Sequence, residues 1–204
     1  MKPTKILTYA GVLIVIVILI FNINPNSSVP EPGNYQEEIA KHREEKHLFM
    51  KSDKASPFIE QSVPFDSLKY YEADESFKVN ATVEEINDGE IHQLATSDGK
   101  EKEFQEVAIL HFDLKGTHQD LTLLESKESG LYFLSFYDET SAIQTYGSGR
   151  YLETEYEPGK SKVLLDFNYA YNPYCAYTTG YSCPVPLQKN QINIPITAGE
   201  KNYD

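Results

Sequence analysis

The strongest constraint on this fold is an alternation of apolar and polar side chains that recurs between residues 77 and 167. In residues 77–84 every second residue is apolar, and residues 104–114 repeat the same period. This pattern is typical of a strand with one buried and one exposed face. Turn sequences such as Asn87-Asp88-Gly89 separate the segments, and they favour hairpins. The chain is therefore expected to form short antiparallel strands.

Strands are expected over residues 77–84, 91–95, 104–114, 120–125, 131–137, 150–156, 162–167 and 191–197. The last of these contains Pro195, which cannot donate a backbone hydrogen bond and is expected at a sheet edge. Residues 35–51 carry strong helix formers with a weak apolar stripe, typical of a surface helix. Together these patterns predict a mainly β fold, an antiparallel sandwich or barrel-like domain with one N-terminal helix.

Residues 6–24 form an apolar segment, and no charged residue occurs between Lys5 and Glu31. As a helix, these 19 residues would span about 28 Å, close to the hydrocarbon thickness of a bilayer. Lys2 and Lys5 precede the segment, so the positive-inside rule orients the N-terminus towards the cytoplasm. A cleaved signal peptide is the alternative, but no small-x-small cleavage motif follows the segment. We therefore expect a single transmembrane helix that stays attached.

This interpretation divides the chain into a signal anchor over residues 1–24, a Pro/Ser linker over residues 25–33 and an extracytoplasmic β-rich domain over residues 34–204. The expected location is the bacterial cytoplasmic membrane, with a single pass and the main domain outside. Lys and Arg total 18 against 31 Asp and Glu, a net charge of −13. Such an acidic surface excludes nucleic acid as a partner, because phosphate binding requires basic residues.

The two cysteines, Cys175 and Cys183, lie close together in a loop-rich segment. Outside the cytoplasm such a pair most simply forms a disulfide across a short loop. A metal site and a catalytic thiol are the alternatives, but the segment holds no histidine. His111 lies on the polar face of its strand and is expected to face solvent or pack partly. The sequence predicts no metal-ligand set and specifies no cofactor.

Most unusual polar residues fall in two Gly-, Pro- and Asn-rich stretches, residues 138–150 and 166–190. We expect the two stretches to meet, with Arg150 facing Asp166 or an asparagine side chain. The candidate ligand-binding residues are Asp138, Thr140, Tyr146, Arg150, Asp166, Asn168, Asn172 and Tyr177. Three functions remain open for them. In the first, they bind a small polar ligand in a pocket formed by the C-terminal loops. In the second, the protein is a structural envelope protein and these residues form a buried polar network. In the third, the protein is a hydrolytic or metal-dependent enzyme that uses these loops together with the cysteines.

The same two stretches carry a pattern shared with a known family. It comprises Asp138-Glu139-Thr140, residues 145–152 and 165–173, Cys175-Ala176-Tyr177, Cys183-Pro184, Asn190 and residues 198–201. In these residues the chain resembles the bacterial and archaeal family called domain of unknown function 1684. Tyr174 and Ser141-Ala142 depart from the family pattern, which usually has a proline and Ser-Gly there. The resemblance implies membership but no reaction, since the family is named for lacking a known function.

Overall fold

The computed structural model describes residues 34–203. The expected anchor over residues 6–24 and the linker over residues 25–33 lie outside the described residues. Within residues 34–203, no helix combines the length and the apolar character needed to cross a bilayer.

One long helix, α1 (Tyr35–Ser52), opens the described chain, in agreement with the predicted residues 35–51. Only Ile39 and Met50 of α1 are buried, because most of its residues are charged or polar. A short helix, α2 (Pro57–Glu60), follows, and the Ser56 hydroxyl caps it by accepting a hydrogen bond from the Phe58 amide. Proline is tolerated at the first helical position, so Pro57 starts α2 after α1 has ended at Ser52.

Eight strands make up the β structure of residues 34–203: β1 (Lys78–Glu85), β2 (Ile91–Ala95), β3 (Glu101–Leu114), β4 (Thr117–Ser126), β5 (Tyr132–Phe133), β6 (Ser135–Phe136), β7 (Arg150–Tyr151) and β8 (Lys162–Asp166). A six-stranded antiparallel sheet has the order β5-β4-β3-β1-β8, with β2 also paired to β3. Strands β6 and β7 form a separate two-stranded ribbon. Short 3-10 helices span Glu75–Phe77, Phe167–Tyr169 and Tyr174–Ala176. The prediction of a mainly antiparallel β domain with one N-terminal helix is thus confirmed.

The core lies between one face of the six-stranded sheet and a layer built from the ribbon and the C-terminal segment. Alternate residues of β3, such as Leu110 and Phe112, are buried on this face. Phe136 and Phe167 pack edge to face in the same cluster, with ring centroids 5.3 Å apart. Ile192 and Ile196 from the C-terminal segment complete it. Much of the second layer is therefore irregular chain that apolar contacts hold in place.

Two expected strands are wrong in the second layer. The strand expected over residues 150–156 is limited to Arg150–Tyr151. The segment 191–197 is irregular and makes one isolated bridge, Gln191 to Tyr137. The Ile196 carbonyl oxygen of this segment accepts a hydrogen bond from the Arg150 guanidinium, as does the Ala198 carbonyl oxygen just beyond it. The Arg150 side chain thus donates hydrogen bonds that a neighbouring strand would otherwise supply.

Candidate functional site

A groove of about 790 Å³ lies between α1 and the edge strand β8. His42, Lys46 and Phe49 line it from α1, and Leu164 lines it from β8. These α1 residues share one face of the helix, because they are spaced four and three positions apart. The groove is of a size that accommodates small molecules.

Tyrosines from the loop after β8 form one wall of the groove. The Tyr169 hydroxyl donates a hydrogen bond to Glu38 Oε1 (2.8 Å), and its ring meets His42 edge to face at 4.7 Å. The Tyr171 hydroxyl donates to the Glu153 carboxylate, and its ring lies 4.5 Å from Lys46 Nζ. Burial raises the pKa of both phenols above the ordinary value of 10.0, so they stay neutral near pH 7. This wall offers aromatic surface beside hydroxyl groups.

A buried carboxylate pairs with Lys46, one of the residues that line the groove. Glu200 is 1% exposed, and its Oε1 lies 2.8 Å from Lys46 Nζ on α1. Glu200 Oε2 accepts hydrogen bonds from the Tyr177 hydroxyl (2.5 Å) and the Asn172 amide (2.8 Å). The carboxylate therefore joins α1 to the C-terminal segment and to the loop that carries the tyrosine wall. Burial, followed by the charge of Glu200, raises the pKa of Tyr177 well above 10.0.

His42 is the titratable group of α1 that faces the groove with a shifted pKa. Burial, followed by the positive charge of Lys46, lowers its pKa from 6.5. The imidazole is therefore neutral near pH 7. A neutral imidazole can accept or donate a hydrogen bond towards a bound molecule.

Behind this wall lies a buried network centred on Arg150, which is 1% exposed. Its Nη1 donates to the carbonyl oxygens of Ala198 (2.5 Å) and Glu200 (3.1 Å). Its Nη2 donates to Asp138 Oδ2 (2.9 Å) and to the Ile196 carbonyl oxygen (2.9 Å). The carboxylate that pairs with Arg150 is thus Asp138, and the expected partner Asp166 is wrong. Because Arg150 is enclosed by these groups, its charge stabilises the protein's own loops.

Asp138 is also fully used within the protein. Its Oδ1 accepts hydrogen bonds from the Thr140 amide (2.7 Å), the Thr140 hydroxyl (2.6 Å) and the Ile196 amide (3.2 Å). The Thr140 hydroxyl in turn lies 2.9 Å from the Thr145 hydroxyl. Asp138 and Arg150 both belong to the first polar stretch, and the other hydrogen-bond partners of Arg150 are the carbonyl groups of Ile196, Ala198 and Glu200. The expected contact of Arg150 with the second stretch, residues 166–190, is therefore wrong.

Of the remaining candidate residues, some make hydrogen bonds that hold loops in place, and one also lines the groove. Asp166 Oδ1 accepts hydrogen bonds from the Asn168 amide (3.0 Å) and side chain (2.9 Å), and Asp166 also lines the groove. Asn168 exchanges two hydrogen bonds with the Asp74 backbone. Asn172 Nδ2 donates to the Lys201 carbonyl oxygen (2.8 Å). Tyr146 is half-buried, and no hydrogen bond links its side chain to the Arg150 network.

Sequence reasoning missed His42, Lys46 and Glu200 as site residues. The signal was present in part, since His42, Lys46 and Phe49 belong to the weak stripe of the predicted helix. Glu200 lies in the family pattern, within residues 198–201. The sequence does not reveal that Lys46 of α1 contacts Glu200 in the C-terminal segment, because this contact forms only in the tertiary fold.

Cys175 and Cys183 form a disulfide, as expected. The closed loop is attached to the turn between β2 and β3, where Ser97 accepts a hydrogen bond from the Cys183 amide (3.2 Å). The Ser97 amide donates in return to the Cys183 carbonyl oxygen (3.0 Å). Tyr174, adjacent to the disulfide, lines the groove. With both sulfurs bonded, this pair provides neither a thiolate nucleophile nor a metal ligand.

These features define a class of protein: an antiparallel β domain whose N-terminal helix and edge strand flank a groove. The family described as "Protein of unknown function (DUF1684)" matches residues 63–201, and the chain belongs to this family. The resemblance seen in the sequence is thereby confirmed. No curated protein matches the chain.

A solved structure supports the same assignment. The solution NMR structure of the uncharacterized protein from gene locus rrnAC0354 of Haloarcula marismortui is 35% identical in sequence. It matches with a TM-score of 0.61 and covers 82% of this chain and 94% of that chain. The similarity extends the shared fold to most of both chains.

Proposed function

We propose that this protein is a membrane-anchored extracytoplasmic binding module and that the groove between α1 and β8 holds a small polar ligand. The observation that carries the proposal is the lining of the groove, which combines aromatic surface with groups of both charges. Lys78, Lys160 and Lys162 line it together with Glu155 and Glu157. Binding sites of this kind pair an apolar surface with a few polar groups that orient the ligand.

The lining holds four lysines and five carboxylates, so it favours a polar ligand whose anionic group contacts the lysines while its hydrogen-bonding groups face the carboxylates and phenols. Lysine ammonium groups attract an anion at the mouth of the groove, and the phenols of Tyr169 and Tyr171 present polar tips beside a flat apolar face. Leu164 is 46% exposed within the groove, and a bound molecule would remove this apolar surface from water. An amino acid, a sugar acid or a similar small organic acid fits this description.

The buried network supports this function indirectly. Arg150, Asp138, Asn172 and Glu200 hold the loops that present the tyrosine wall, so the wall is ordered before a ligand arrives. Preorganisation of this kind lowers the entropy that binding must offset. The C-terminal loops thus supply one wall of the proposed pocket, and α1 supplies the other.

Membrane attachment rests on the apolar residues 6–24 and their flanking lysines. The linker over residues 25–33 contains three prolines, which make it stiff. In this arrangement the anchor keeps the binding domain outside the cytoplasmic membrane, close to ligands that pass through the envelope.

The test uses the purified full-length chain in mild detergent. Small molecules retained by the protein are identified by native mass spectrometry, and a set of amino acids, sugars and organic acids is screened by thermal shift. Leu164→Trp fills the groove, and Leu131→Trp is the matched control at a residue 69% exposed outside it. We expect the stabilising ligand to lose its effect in Leu164→Trp and to keep it in Leu131→Trp. Equal stabilisation of both variants would contradict a groove site.

A further inference from the structure

Two histidines and three carboxylates meet on the solvent-facing side of the sheet, where His111 lies two strands from the groove-lining Lys162. Cross-strand pairing places His111 opposite Asp120 and Asp113 opposite His118 on strands β3 and β4. Because side chains alternate along a strand, all four project from the same face. Glu84 on β1 reaches this cluster from the neighbouring strand.

The near nitrogens of both imidazoles converge on one carboxylate oxygen. His111 Nδ1 lies 2.6 Å from Asp120 Oδ1, and His118 Nε2 lies 3.2 Å from the same oxygen. One ligand atom from each of the three residues lies within 4.8 Å of the others. Tetrahedral bonds of about 2.0–2.2 Å require ligand atoms about 3.3 Å apart. A cation therefore fits between these atoms after side-chain movements of less than about 1 Å.

The far nitrogens of the same imidazoles are each held by a different carboxylate. His111 Nε2 lies 3.1 Å from Glu84 Oε2, and His118 Nδ1 lies 3.1 Å from Asp113 Oδ1. A carboxylate on the distal nitrogen is the usual partner of a metal-binding histidine, since it fixes the tautomer and orients the ring. Simple ion pairing does not require both rings to be arranged in this way.

We propose that His111 Nδ1, His118 Nε2 and Asp120 bind a divalent transition-metal ion such as Zn²⁺. Glu84 and Asp113 orient the two imidazoles and add negative charge. Two imidazoles and one carboxylate suit zinc and its neighbours, whereas calcium and magnesium prefer oxygen ligands alone. Water completes the coordination, because the cluster is open to solvent and His118 has a side chain 62% exposed. This site is independent of the proposed groove, because no groove residue belongs to it.

The test is a Zn²⁺ titration of the untagged full-length chain after removal of metal with a chelator. A chromophoric zinc indicator reports competition, and Co²⁺ absorption reports the ligand set independently. We expect one tight equivalent of zinc. We expect His118→Gln and Asp120→Asn each to weaken binding at least 100-fold, whereas Asp113→Asn weakens it 10- to 100-fold.

His47→Gln is the matched control, since His47 lies on α1 and contacts Phe65. It should leave zinc affinity unchanged. Circular dichroism of each variant checks folding, which the exposed position of His118 predicts to be unaffected. The proposal is overturned if the wild-type chain binds no zinc, or if His118→Gln binds it as tightly as the wild type. It is also overturned if His92→Gln removes the site instead, because His92 belongs to a separate cluster with Glu90 and Glu106.

Discussion

Among the described residues, Arg150 has the largest side chain that is fully buried, and that side chain carries a charge. Removing a guanidinium from water costs several kcal/mol, and Arg150 offsets this cost through Asp138 and three backbone carbonyl groups. Those carbonyls belong to residues 196–200, which lie outside the eight strands and make one isolated bridge, Glu200 to Tyr70. The Arg150 side chain thus supplies hydrogen bonds to three backbone carbonyl groups of this segment.

Replacing Arg150 by methionine tests this role. Arg150→Met leaves the Asp138 carboxylate and three carbonyl groups without their donor in a buried site, so it should lower the free energy of unfolding by about 3–5 kcal/mol. Denaturant unfolding measures the change. Lys162→Met, at an exposed position, should change it by less than about 0.5 kcal/mol. A destabilisation by Arg150→Met as small as that of Lys162→Met would refute the structural role of the network.

Two histidines should titrate in opposite directions from 6.5. The hydrogen bond to Asp120, followed by that to Glu84, raises the pKa of His111. Burial and Lys46 lower the pKa of His42. The stability contributed by His111 is fully present below pH 6.5 and is lost as pH rises through its folded-state pKa. For His42 the sign is opposite. Lowering the pH below 6.5 reduces the free energy of unfolding, because the His42 imidazole is protonated more readily in the unfolded chain than in the folded protein.

Histidine ring resonances measured by NMR as a function of pH check both directions in one titration, in metal-free protein. A His111 pKa below that of His42 would contradict the packing described around both rings. In Asp120→Asn, the His111 value should return towards 6.5.

At the scale of elements, the sequence predicts best where local pattern and burial agree. Strand β2 (Ile91–Ala95) and helix α1 match their predicted residues almost completely. Local signals define both segments, since α1 is rich in strong helix formers and turn sequences flank β2. The segment 191–197 also alternates, but its carbonyl groups pair with Arg150, a partner distant in sequence that no local pattern reveals.

The same limit applies to the candidate site. The sequence concentrates polar residues in two stretches, but the Asp138–Arg150 pair lies within the first of them and binds residues 196–200 rather than the second. Burial of that pair could not be predicted, since it depends on how residues 196–200 fold over it. The groove depends likewise on Lys46 of α1 meeting Glu200 near the C-terminus. The sequence shows which polar side chains are present, but it does not show which of them are buried and which line the groove.

The disulfide loop between β8 and the C-terminus offers a test at this scale. Replacing both cysteines, Cys175→Ser with Cys183→Ser, should lower the free energy of unfolding by about 2–3 kcal/mol, as loop-closure entropy predicts for a short loop. The loss should be local. Amide hydrogen exchange should therefore accelerate at Ser97, whose amide bonds to the Cys183 carbonyl, and remain slow at Leu110 in the core. Equal acceleration at both amides would contradict a local role.

For the whole molecule, the proposed orientation across the membrane rests on residues 6–24 and the lysines before them. A reporter that is active only outside the cytoplasm, fused after Asp204, should be active, and the product should keep its full length. Activity of a reporter restricted to the cytoplasm at the same position would reverse the orientation. A product shortened at its N-terminus would replace the anchor with a cleaved signal peptide.

The central claim is that the molecule uses the groove between α1 and β8, rather than the buried Arg150 network, to bind its ligand. The most direct measurement is a map of amide chemical-shift changes in the full-length chain on addition of the ligand found by thermal shift. We expect changes concentrated on α1 around His42 and Lys46, on β8 around Leu164 and on the loop at Tyr169. Changes confined to the surroundings of Tyr146 and Asn172, with α1 and β8 unaffected, would contradict it.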